Sequence, residues 1–90
     1  MHIALICQDN PGALEIRKAN RANHLAYIDK TGVVDMAGPL LDPQGQMCGS
    51  LIILDVADLS AARAWAANDP YAHAGLFEKV EIREWKKVVG

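Results

Sequence analysis

Apolar and polar positions alternate along this chain in a way that marks six elements. His2 to Gln8 is a short apolar run with β-branched Ile3 and Ile6, and it ends in Asp9-Asn10-Pro11-Gly12, so a strand and a turn are predicted. Ala13 to Lys30 holds neither glycine nor proline and repeats Leu14, Ala22, Leu25 and Ile28 at helical spacing. Gly32 then stands where a helix ends in a left-handed residue. Val33 to Ala37 reads as a second strand closed by Gly38-Pro39, and Leu40 to Gly49 is rich in turn formers and reads as a loop. Ser50 to Val56 is the clearest strand. Asp58 or Ser60 can cap a helix from Leu59 to Asn68 that places Leu59, Ala62, Trp65 and Ala66 on one face. Lys79 to Trp85 alternates and forms the last strand.

The order is β-α-β-β-α-β, the split βαβ arrangement of ferredoxin-like α+β folds. Leu51 and Ile53 face one way in the third strand, Ile52 and Leu54 the other, so both faces of a central strand are apolar. Two helices cover one face of a four-stranded sheet. The second face needs another cover, most simply an identical sheet, and a homodimer joined sheet to sheet is expected. Ile52, Leu54 and Trp85 are the residues expected on that face.

Ninety residues make a single domain, 1–90. A chain this short buries about 60–65% of its unfolded surface, and a partner would add to that. At 51% hydrophobic and 22% charged it is too apolar for disorder. A net charge of −2 leaves no basic stripe for nucleic acid. No apolar run approaches the ~20 residues of a membrane span, and Met1 to Asp9 lacks the pattern of a signal peptide. Cys7 and Cys48 form no CxxC pair, no zinc spacing and no disulfide framework, and they read as reduced thiols of a cytoplasmic protein, Cys48 the more exposed.

The chemistry centres on His24. Arg17, Arg21 and His24 are spaced i, i+4, i+7 and stack along one side of the first helix. An imidazole flanked by two fixed cations is expected to be biased toward neutral, the form that accepts a proton. Its carboxylate partner is open among three: Asp69, which precedes Pro70 as an N-cap precedes N1, Asp35 in the second strand and Asp55 in the third. Arg17 or Arg21 could hold an anionic oxygen, Ser50 and Tyr71 offer a polar wall, and Gly38-Pro39 with Gly49-Ser50 could form a pocket mouth where small residues admit a ligand. Tyr27, one turn beyond His24, could reach the same place. Trp65 reads as core and Trp85 as interface. No GxSxG elbow, dinucleotide fingerprint, phosphate-cradling loop or HExxH is present, so neither a metal nor an organic cofactor is expected.

Taken in order, several short segments resemble the YciI family of YCII-related proteins. They are Gln8-Asp9, Arg21 with His24-Leu25, Ala37-Gly38-Pro39, Gly49-Ser50, Ala66, Asp69-Pro70-Tyr71, Ala74-Gly75-Leu76-Phe77 and Lys86-Lys87. The resemblance implies a dimeric α+β barrel and a site built on a histidine and an aspartate, here His24 and Asp69. It also brings in relatives of the fold that remove chloride from chlorinated hydroxyhydroquinones or isomerise muconolactones. The chain departs from some members by a shorter loop between Pro39 and Gly49. Two function classes follow: a cofactor-independent lyase or isomerase acting by acid/base chemistry on a small oxygenated ring, or a non-catalytic dimer that binds a small ligand or serves as an accessory subunit.

Overall fold

The computed structural model describes all residues, Met1–Gly90. Its elements run β1 (His2–Asp9), α1 (Leu14–Thr31), β2 (Val34–Leu41), β3 (Met47–Asp55), α2 (Leu59–Ala67), the single turn α3 (Pro70–His73) and β4 (Phe77–Trp85). The four strands form one antiparallel sheet in the order β2-β3-β1-β4, which is the ferredoxin-like topology. No helix is long and apolar enough to cross a membrane.

Local chemistry sets the ends of the helices. Gly32 closes α1 with φ 65°, donating its N–H to the Ile28 carbonyl. Asp58 caps α2 by accepting from the Ala61 amide. One stretch departs from the sequence reading. Half of Leu40 to Gly49 is strand, with Leu40 paired to Gly49 and Leu41 to Met47, and the connection shrinks to Asp42–Gln46. Asp42 holds that turn, its side chain accepting from the Gln44 and Gln46 amides while Gly45 takes φ 79°. β2 likewise runs on through Gly38-Pro39, because it lies at the sheet edge, where a proline costs no ladder bond on the open side.

The core lies between the sheet and the helices. Ile3, Leu5 and Cys7 of β1 and Ile52 and Leu54 of β3 pack against Ala62 and Trp65 of α2. Ile52 and Leu54 are therefore 1% and 0% exposed beneath the helices, not on the uncovered face as expected. Both parities of β3 are apolar, so alternation alone could not assign them. The uncovered face carries the other parity: Ile6, Met36, Leu40, Leu51 and Trp85 stand exposed around buried Ala4 and Ile53. Trp85 belongs to this face, its ring meeting His2 edge-on at 5.9 Å.

A second, smaller cluster of Ala13, Tyr71 and Leu76 holds α3 beside the start of α1. Asn10 fastens it, its backbone N–H donating to the Leu76 carbonyl and its side chain to the Gly75 carbonyl. This seam brings two segments distant in sequence to one end of the sheet.

Candidate active site

The helix α1 presents an unusual inner face. Its buried residues are Arg17 and His24, while Leu25 is 45% exposed and Ala22 faces outward. The apolar spacing in the sequence thus marked the covered side only in part: Ile28 packs against the core, while Ala22 does not. Polar groups are inward because α1 there roofs a cavity rather than a core.

His24 meets Asp69 across the seam, Nδ1 lying 2.8 Å from Oδ1. Both residues are almost fully buried, at 6% and 1% exposure. The same Oδ1 accepts the Tyr71 backbone N–H at 3.0 Å, so Asp69 caps α3 and holds the imidazole at once. A carboxylate oxygen accepts, so this contact is a hydrogen bond when the ring proton sits on Nδ1. Nε2 has no protein partner, and no buried side-chain nitrogen or oxygen lacks one, so Nε2 opens to the cavity. The Tyr71 ring stacks on the imidazole at 4.0 Å and 15°, fixing its plane. Asp35 and Asp55 are on the opposite face of the sheet, near His2 and the N-terminal ammonium respectively. Neither reaches His24.

Arg17 sits elsewhere in the network than the sequence suggested. Its Nε and Nη2 grip both oxygens of Asp9 at 2.7 and 2.8 Å, and Nη2 also donates to Ser50 Oγ at 2.9 Å. Burial alone would pull the guanidinium down. The bonds and charge of Asp9 outweigh that and hold it above its ordinary value. Its charge is thereby compensated within the protein. Asp9 was missed in the sequence because it reads as turn punctuation. The available signal was its parity in β1, two residues past buried Cys7, eight residues before a basic helix position.

Arg17, Arg21, His24, Gly38, Pro39, Ser50 and Tyr71 all line one cavity of about 120 Å³, closed further by Leu25, Ile28, Ala37, Met47 and Ile52. A cavity of about 150 Å³ accommodates benzene, so one small ring is the right scale here. Tyr71 lies with Arg17 4.8 Å over its ring. Burial pushes its phenol up, Arg17 and Arg21 pulling part of the way back, so the hydroxyl is protonated at neutral pH. Tyr27 is turned away, donating to the Trp65 carbonyl at 2.8 Å. Gly49 does not line the cavity. A Cβ there would come within 2.3 Å of the Cys7 carbonyl, so the glycine serves strand contact and sets the position of Ser50 next to it. Beneath the cavity, burial pushes the Cys7 thiol up to about 12, with Asp69 adding to the shift. No group of three or more His, Cys, Asp or Glu side chains is arranged to hold a metal ion.

A family model described as the YCII-related domain matches residues 1–86. The chain is 36% identical to Protein YciI of Escherichia coli O6:H1 over 97 aligned positions, covering 98% of this chain and 99% of that protein. It is 35% identical, with the same coverage, to an uncharacterized protein of Haemophilus influenzae. Among solved structures it superposes with TM-score 0.86 and 30% identity on 5-chloro-2-hydroxyhydroquinone dehydrochlorinase from Burkholderia phenoliruptrix, in complex with 2,5-dihydroxybenzoquinone, covering 96% of this chain and 94% of that one. A NIPSNAP family protein of Agrobacterium tumefaciens shares the fold at TM-score 0.55 and 20% identity.

Proposed function

The chain belongs to the YCII-related family, and on that footing we propose that it is an acid/base enzyme, a lyase or isomerase, acting on a small oxygenated ring. One observation carries the reading: a buried His24–Asp69 pair whose free Nε2 opens on a cavity of ring size. In the reaction, a C–H or O–H proton of the substrate passes to Nε2, and its electron pair forms a new π bond. A leaving group then departs with its own pair, or the proton is returned at another carbon. Asp69 keeps the reactive tautomer and stabilises the imidazolium. Such catalysis supplies about 10²–10⁴-fold, which suits acidified protons and good leaving groups. The similar dehydrochlorinase supports this class, because its named substrate is a hydroxylated ring that loses chloride.

Chloride release from 5-chloro-2-hydroxyhydroquinone and isomerisation of small unsaturated lactones are the assays. Turnover that vanishes in His24→Ala and drops in Asp69→Asn supports the proposal. Turnover unchanged in a folded His24→Ala variant refutes it, as does tight binding of these rings with no reaction, which would leave the ligand-binding reading. The assembly proposed with it is a homodimer through the uncovered sheet face around Leu51, since a wide apolar surface on a soluble chain calls for a partner.

A further inference from the structure

The wall of the cavity is electrically lopsided. Three basic side chains line it, and no carboxylate does. Arg17 is neutralised by Asp9, and His24 is paired with Asp69. Arg21 has no ion-pair partner, yet its charge is felt at the buried Tyr71 hydroxyl. The cavity thus carries one uncompensated positive charge at its rim.

Ser50 supplies the second half of the pattern. Its oxygen is occupied as acceptor by Arg17 Nη2, and Arg17 is itself clamped by Asp9. No protein acceptor takes the hydroxyl proton. A hydroxyl that accepts from a cation is polarised and donates more strongly. At 3% exposure and on the cavity wall, Ser50 has only the cavity into which to donate.

We propose that Arg21 and the Ser50 hydroxyl form an anion subsite, so the cavity takes a small planar organic anion. This deepens the acid/base reading and rests on the same cavity. Negative charge on a ring oxygen is held by these two donors, leaving Nε2 of His24 free for the proton. Arg17 is a positioning residue here: it orients Ser50 and does not bind the ligand.

Benzoate and its neutral isostere benzamide are suitable probes, titrated into ¹⁵N-labelled protein and followed by amide shifts. Benzoate is expected to bind about tenfold or more tighter than benzamide, the scale of one charge-assisted hydrogen bond. Arg21→Gln, at an exposed helix position that does not endanger folding, should erase the preference, and Arg21→Lys should keep most of it. Ser50→Ala should weaken benzoate by about 2- to 10-fold. Equal affinities, a preference that survives Arg21→Gln, or no binding of either probe at about 10 mM would overturn the subsite. Conversely, Arg21-dependent benzoate binding with turnover indifferent to His24 would overturn the acid/base reading and leave the subsite standing.

Discussion

Replacing Asp69 removes two hydrogen bonds that share one oxygen atom. Oδ1 accepts from His24 Nδ1 at 2.8 Å and from the Tyr71 amide at 3.0 Å, in a position only 1% exposed. Asp69→Ala strips the cap of α3, a loss of about 0.5–2 kcal/mol. It also leaves a buried imidazole N–H without an acceptor, which costs about 1–3 kcal/mol. Together these take about 1.5–5 kcal/mol from a total of about 5–15 kcal/mol for a domain. Asp69→Asn keeps an acceptor oxygen of the same shape and loses only the charge, so about 1 kcal/mol is expected. Urea unfolding followed by the fluorescence of Trp65 and Trp85 gives both values. A double-mutant cycle with His24→Ala isolates the pair, whose coupling should exceed about 1 kcal/mol. Equal costs for Asp69→Ala and Asp69→Asn, with coupling near zero, would refute the reasoning and leave Asp69 as a helix cap alone.

Arg17→Met strands the Asp9 carboxylate in a buried position and should cost about 3–5 kcal/mol in the same unfolding assay, and adding Asp9→Leu should recover much of it. Cys48 should react with a thiol reagent in the folded protein while Cys7 stays inert, as mass spectrometry after timed alkylation will show. The Cys7 thiol, pushed up from 9.0 to about 12 by burial, gives a stabilising contribution that is fully present below pH 9 and lost as pH rises toward 12. Thermal melts should therefore fall over that window, and Cys7→Ala should flatten the fall. The parent chain is expected to return a dimer mass by light scattering, and Leu51→Asp, on the uncovered sheet face, a folded monomer. Ile52→Asp, one residue on but facing the helices, should instead unfold the chain.

The element order was legible because apolar runs and turn formers alternate cleanly, and Gly32 and Asp58 mark helix ends by chemistry that needs no tertiary partner. Other features depend on packing. Gly38, Pro39 and Gly49 look like loop residues, yet an edge strand tolerates the proline, and the approach of Cys7 requires the glycine at 49. The sheet face was open to misassignment because β1 and β3 are apolar on both parities, so only the docked helices choose between Ile52 and Leu51. For the site, Arg17, Arg21 and His24 declared themselves by helical spacing. Asp69 looked like a cap and is one; its bond to His24 arises only when Asn10 ties α3 beside α1. Asp9 stayed hidden for the same reason, and with it the fact that Arg17 is consumed internally.

The most direct test of the His24 base is the tautomer of its ring. Long-range ¹H–¹⁵N correlation spectra of histidine-labelled protein at pH 8 distinguish a protonated from an unprotonated ring nitrogen. The Asp69 contact is expected to yield a single tautomer with the proton on Nδ1 and a bare Nε2 facing the cavity, and Asp69→Ala should disperse it into a mixture. A proton fixed on Nε2, with Nδ1 bare toward Asp69, would contradict the account at its centre, because the cavity would then meet a donor where the chemistry requires a base.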